Sequence, residues 1–94
     1  MIKSFASKES EELFHGRSSR RIPGELQRRA VRKLVAIHAA GRLDELREIP
    51  GNRLEKLKGE RMGQYSIRIN DRWRLCFEWR GRDAYEVEIV DYHR

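Results

Sequence analysis

Tyr65-Ser66-Ile67-Arg68-Ile69-Asn70-Asp71-Arg72-Trp73-Arg74-Leu75-Cys76-Phe77-Glu78-Trp79-Arg80-Gly81-Arg82-Asp83-Ala84-Tyr85-Glu86-Val87-Glu88-Ile89 decides the fold. Tyr65, Ile67 and Ile69 alternate with Ser66 and Arg68. Trp73, Leu75, Phe77 and Trp79 alternate with Arg74, Cys76 and Glu78, and Tyr85, Val87 and Ile89 alternate with Glu86 and Glu88. A period of two sends successive side chains to opposite sheet faces, so each run predicts a half-buried strand. Asn70-Asp71 and Arg80-Gly81-Arg82-Asp83 supply turn residues between the runs. The expectation is an antiparallel meander. Just upstream, Leu54 and Leu57, with Lys56 and Lys58 between and after them, predict one further strand or an extended loop entering the sheet.

Working toward the N-terminus, the period changes to that of a helix. Pro23 suits a first helical turn. Leu26, Ala30, Leu34 and Ile37 then form one apolar stripe, widened by Val31, Val35 and His38, while Arg28, Arg29, Arg32 and Lys33 take the other faces. This helix is expected to end near Ala40-Gly41, with a brief further turn over Arg42 to Arg47 before Pro50-Gly51. A shorter helix is predicted from an N-cap at Ser7, with Glu9, Glu11 and Glu12 near its positive end, to His15 and a stop at Gly16. Met1 to Phe5 reads as a short strand, and Arg17 to Ile22 as a basic link. The predicted class is α+β, in the order β-α-α-β-β-β. Two N-terminal helices pack on one face of a mainly antiparallel sheet. A chain of 94 residues has room for one domain, residues 1–94, with one modest core.

Charge divides the chain unevenly. Lys and Arg number 21 against 15 Asp and Glu, a net charge of +6. Arg17, Arg20, Arg21, Arg28, Arg29, Arg32 and Lys33 form one basic block with a single acid, Glu25. Arg53, Lys56, Lys58, Arg61, Arg68, Arg72 and Arg74 form a second, against Glu55, Glu60 and Asp71. The remainder is net acidic. Two such blocks fit a polyanion, an acidic partner protein, or both; the plainer alternative is a solvated basic surface. The lone Cys76 excludes an internal disulfide and a cysteine zinc cluster, and no His/Asp/Glu spacing suggests a metal site. With no apolar leader and no run approaching ~20 apolar residues, a cytoplasmic protein without a membrane partner is expected.

Strand parity nominates the functional face. If Trp73, Leu75 and Phe77 face the helices, Arg74 faces away from them, and Arg68 does likewise opposite Ile67 and Ile69. Arginine's planar fork suits phosphate oxygens; the ordinary alternative is pairing with Glu78 or Glu86 across the ladder. The tail ends Asp91-Tyr92-His93-Arg94. His93 is suited to proton transfer at neutral pH, although composition alone favours a polar terminus there. His15, at a helix end, and His38, beside the apolar stripe, read as structural. Lys58-Gly59-Glu60-Arg61-Met62-Gly63 is a basic turn without the spacing of a nucleotide-binding loop.

The opening Met-Ile-Lys-Ser-Phe, the run Leu57-Lys58-Gly59-Glu60-Arg61, the stretch Tyr65 to Arg74 and the end Asp91-Tyr92-His93 resemble HigB toxins of the RelE/ParE superfamily, sometimes called plasmid-maintenance or proteic killer proteins. That resemblance spans essentially the whole chain. It implies a type II toxin: a ribosome-dependent endoribonuclease that cuts mRNA in the A site and inhibits translation, using no metal or other cofactor. The 2′-hydroxyl would attack the adjacent phosphorus and a 5′-hydroxyl would leave. Such chemistry needs a base, an acid and cations around the phosphorane.

The resemblance places Lys58, Arg74, Tyr92 and His93 in the catalytic set, with Asp91 supporting. Lys58 and Arg74 would stabilise charge, His93 would transfer a proton, and Tyr92 would stack on a base or share the proton work. Arg68, Arg61, Arg72 and Lys56 are the expected RNA-binding residues. Some relatives carry a histidine where this chain has Glu55; either Glu55 takes a base role or the position is dispensable, and the second is favoured. The resemblance also implies a HigA-type helix-turn-helix antitoxin, through which operator DNA is bound only indirectly. Arg20, Arg21, Arg28, Arg29 and Arg32, expected on the helix side and away from the site, are assigned to ribosome or antitoxin contact. The rival readings are a ParE-like inhibitor of DNA gyrase on the same fold and a nucleic-acid-binding module without catalysis.

Overall fold

The computed structural model describes residues 1–92. Three helices, α1 (Lys8–Phe14), α2 (Gly24–Ala39) and α3 (Leu43–Arg47), precede the strands β1 (Glu55–Lys56), β2 (Gln64–Arg68), β3 (Trp73–Arg80) and β4 (Asp83–Asp91). A single 3₁₀ turn, Gly59–Arg61, joins β1 to β2. The strands form one antiparallel sheet in the order β1-β2-β3-β4. This is the expected α+β architecture.

Local chemistry places the helix ends. Ser7 caps α1, its Oγ accepting from Ser10 N–H at 3.2 Å, and Gly16 takes the left-handed φ of 84° just beyond the His15 C-cap. Ser10 is buried but satisfied: it lies 2.6 Å from Ser7 Oγ and accepts from Ile89 N–H at 2.9 Å, which ties α1 to β4. Along α2, Leu26, Ala30, Leu34 and Ile37 are all buried, as their spacing predicts. They join Ile67, Ile69, Leu75, Phe77 and Val87 in one core. Each large apolar side chain there contributes about 1.5–3 kcal/mol by leaving water.

Four features differ from the expectation. Val35 is half exposed, so the α2 stripe is narrower on that side. Leu43–Arg47 closes into a full helical turn because Leu46 is buried in the core. The N-terminal segment makes two isolated parallel bridges, Ile2↔Ala84 and Phe5↔Val87, in place of a strand. His38 anchors that segment to α2 by accepting from Ile2 N–H at 3.1 Å.

The fourth difference is a bulge in β4. Register slips between Cys76 and Glu78, and Glu86 adopts φ 53°. Ser4 holds this conformation: its Oγ accepts from Glu86 N–H at 2.9 Å, and its carbonyl accepts from Val87 N–H at 3.1 Å. The inserted residue resets parity, so Ala84, not Tyr85, shares the core face with Val87 and Ile89. Tyr85 instead carries the Arg80 guanidinium 4.6 Å above its ring.

Candidate functional site

The sheet has a helix-covered face and an uncovered one, and β-strand alternation assigns residues to each. Leu75 and Phe77 point into the core, so Arg74 and Cys76 point away from it. Register then sets Ser66 opposite both Glu55 and Cys76, and Cys76 opposite Glu88. Glu55, Ser66, Arg74, Cys76 and Glu88 therefore share the uncovered face.

Arg74 is the most constrained cation on that face. Its Nε donates to buried Ser66 Oγ at 2.8 Å and its Nη2 to the Arg53 carbonyl at 2.7 Å, with Glu55 at 3.9 Å. Only 12% of the Arg74 side chain is exposed, which leaves the planar fork little freedom to turn. Arg53 stands at φ 45°, a left-handed conformation that is uncommon for a residue with a Cβ. The expected cross-ladder partners, Glu78 and Glu86, are engaged elsewhere: Glu78 by Arg80 and Glu86 by Ser4.

Around Arg74 lies an open cleft of 460 Å³, lined by Arg53, Arg68, Arg72 and Arg74 together with Glu55, Asp71 and Tyr92. Arg68 pairs with Asp71 at the hairpin end. Arg72 grips Asp91 with two parallel bonds, from Nε at 2.7 Å and from Nη2 at 2.8 Å. That hydrogen bond and charge raise the Arg72 pKa further, so the guanidinium stays charged. Tyr92 is held by its backbone, N–H to the Arg72 carbonyl at 2.6 Å, and its phenol lies near Cys76. Burial, the largest cause, raises both the Tyr92 phenol and the Cys76 thiol above their ordinary values. Both are neutral near pH 7.

The other expected site residues are spread more widely. Arg61 lies beside this group but is engaged by Gln64 at 3.0 Å and Glu88 at 3.1 Å. Lys58 is exposed at the start of the 3₁₀ turn, outside the cleft lining. Lys56 pairs with Tyr65, whose ring stacks on Phe77, so it belongs to the opposite face from Glu55. His93 lies outside the described residues. Among the described residues, no cluster of three His, Cys, Asp or Glu side chains is placed to hold a metal.

Of the helix-side arginines, Arg20, Arg21 and Arg28 are exposed and line neither cleft, with Arg21 3.5 Å from Glu9. Arg29 and Arg32, however, line a second hollow that also includes Arg68. They are therefore neighbours of the arginine cleft, contrary to their expected separation from it. Sequence reasoning missed Arg53 and Ser66 as parts of the site. Ser66 left one signal, a small hydroxyl residue at an outward position between large neighbours; Arg53 acts through its backbone and left none.

Residues 3–93 match the family described as RelE-like toxin of type II toxin-antitoxin system HigB. The chain belongs to this HigB-like toxin family. Endoribonuclease HigB of Proteus vulgaris is 37% identical over 94 residues, covering 99% of this chain and 100% of that protein. Toxin HigB-1 of Vibrio cholerae serotype O1 is 43% identical over 60 residues, 64% of this chain and 63% of its own length. Among solved structures, the YoeB-YefM complex from Staphylococcus aureus superposes with a TM-score of 0.57 at 21% identity, covering 100% of this chain and 99% of that one. That likeness concerns the fold, and it agrees with the helix-covered sheet described above. Membership in the HigB-like family makes the uncovered, arginine-lined face the place to seek the toxin's activity.

Proposed function

We propose that this HigB-family toxin cleaves mRNA on the ribosome, in the A site, by attack of a ribose 2′-hydroxyl on the adjacent phosphorus without a metal. Endonucleolytic cleavage of RNA is supported by family membership and by the full-length relative that carries that name. The observation that carries the reading is the convergence of four arginines and Tyr92 on one open cleft, with Arg74 oriented by Ser66 and the Arg53 carbonyl.

In the reaction, the 2′-oxygen bonds to phosphorus as its proton passes to a base. The bond to the 5′-oxygen breaks, and that oxygen takes a proton from an acid. Products are a cyclic phosphate and a 5′-hydroxyl. Charge grows on the phosphoryl oxygens meanwhile, where fixed donors are most effective. Arg74 spends two of its five N–H donors on the protein and keeps the rest for those oxygens. In this reading Lys58 supplies a further cation from its turn, and Asp91 steadies Arg72. His93 transfers a proton. Tyr92, a neutral phenol near Cys76, offers a base-stacking ring or an O–H donor.

The same reading gives the toxin a HigA-type helix-turn-helix antitoxin, with operator DNA bound only through that partner. Arg20, Arg21 and Arg28 remain for ribosome or antitoxin contact. The test is to induce the protein and map mRNA 5′ ends with and without active translation. Cuts at fixed codon positions only during translation are expected. Cuts independent of translation would overturn the ribosome requirement, and intact mRNA with damaged DNA would favour the gyrase reading.

A further inference from the structure

The hollow behind the arginine cleft has a charge pattern of its own. It measures 400 Å³, and Arg29, Arg32, Lys33 and Arg68 line it over a small apolar floor of Ala36, Ile49 and Ile69. Arg29 donates to the Ile69 carbonyl at 3.2 Å and Lys33 to the Asn52 side chain, contacts that position both cations without neutralising either. Among the described residues, Arg29, Arg32 and Lys33 have no ion pair, and Arg68 alone has one, with Asp71. Burial, followed by repulsion from Arg29 and Arg68, lowers the Lys33 pKa. Crowding like charges without an acid is unfavourable, and an anion entering the hollow relieves it. Forked guanidiniums beside a compact ammonium match a phosphate group.

Position decides which phosphate. Arg68 lines both the hollow and the cleft, so a strand leaving the cleft past this side chain meets α2 directly. We propose that Arg29, Arg32 and Lys33 form, with Arg68, a second phosphate subsite that holds the backbone of the same RNA strand beyond the scissile bond. This rests on the RNA reading of the cleft. The small apolar floor suits a ribose, whereas a docked protein needs a broader apolar centre.

The experiment compares binding of two non-cleavable probes, a 2′-O-methyl dinucleotide and a 2′-O-methyl dodecamer, by fluorescence anisotropy over a salt series. Variants are Arg32→Ala, Arg32→Glu and Arg29→Gln, with Arg82→Ala, exposed in the β3–β4 turn and lining neither cleft, as a charge-matched change. Arg32 is exposed and its side chain has no hydrogen-bond partner among the described residues, so its replacement does not threaten folding. Expected is weaker dodecamer binding, Arg32→Glu worst, with the salt slope reduced by about 0.7 for each phosphate that is no longer neutralised. Dinucleotide binding and the Arg82→Ala variant should match the parent. Equal weakening on both probes, equal weakening in Arg82→Ala, or no weakening at all would overturn the subsite. Arg32-dependent binding of polyglutamate that outcompetes the dodecamer would assign the hollow to an acidic protein instead. A parent chain that binds neither RNA probe would overturn the reading of the cleft itself, and this proposal with it.

Discussion

The two cationic regions that meet at Arg68 are built in opposite ways. In the cleft, every arginine except Arg53 has a fixed partner: Arg74 has Ser66, the Arg53 carbonyl and Glu55, Arg72 has Asp91, and Arg68 has Asp71. Behind it, Arg29 and Lys33 touch only neutral acceptors. Partnered cations hold their geometry but present a weakened field, which suits stabilising charge at one atom. Cations held only by neutral acceptors keep their full field, which suits gripping a backbone of any sequence. Arg74 and Lys33 thus represent two uses of positive charge within one small sheet and its covering helix.

Removing Arg74 should break the comparison most severely. Arg74→Ala is expected to lower the single-turnover cleavage rate by about 10²–10³-fold, the usual loss for one preorganised donor. Arg74→Lys should recover little of it, since an ammonium cannot span Ser66 and the Arg53 carbonyl as the fork does. Recovery by lysine would mean that charge alone matters, erasing the contrast with the α2 hollow.

Ser66→Ala tests orientation without altering charge. Hydrogen bonds to charged groups contribute about 1.5–3 kcal/mol. Partial loss of that at the transition state corresponds to roughly a tenfold fall in kcat, with KM nearly steady. A change confined to KM, or to thermal stability, would demote Ser66 to a packing residue.

The smallest expected effect concerns Lys33. Its folded pKa lies below the ordinary lysine value of 10.5, so the unfolded chain binds more protons in the window between the two. Stability should therefore rise with pH across that window, on top of whatever the other groups do. Lys33→Gln keeps a donor for Asn52 and removes the charge, so the urea midpoint of the variant should have a flatter dependence there. Inorganic phosphate should flatten the parent's curve in the same direction if the hollow takes an anion. Identical curves for parent and variant would argue against crowded charge in the hollow.

Much of the architecture was readable from local pattern. The α2 stripe and the β2–β3 hairpin depend on residues a few positions apart, where periodicity and turn chemistry act directly; Asn70 Oδ1, accepting from Arg72 N–H at 2.9 Å and Trp73 N–H at 2.8 Å, is the expected turn residue at work. The face of Arg74 followed from the same parity. In β4 that parity misled at Tyr85, because Ser4, 82 positions before Glu86 in the chain, stabilises a bulge that the strand's own residues do not announce.

What the sequence determined by itself was the helix, the meander and the arginines on the uncovered face, since each is set by neighbours along the chain. Tertiary structure decided how the arginines are used. Only packing brings the Arg53 carbonyl and Ser66 to Arg74, and only the docking of α2 beside the sheet end sets Arg29, Arg32 and Lys33 next to Arg68. The physical reason is that a hydrogen-bond partner or a repelling charge acts through a few ångströms of space. Residues 53 and 74, or 33 and 68, acquire that proximity only when the core closes.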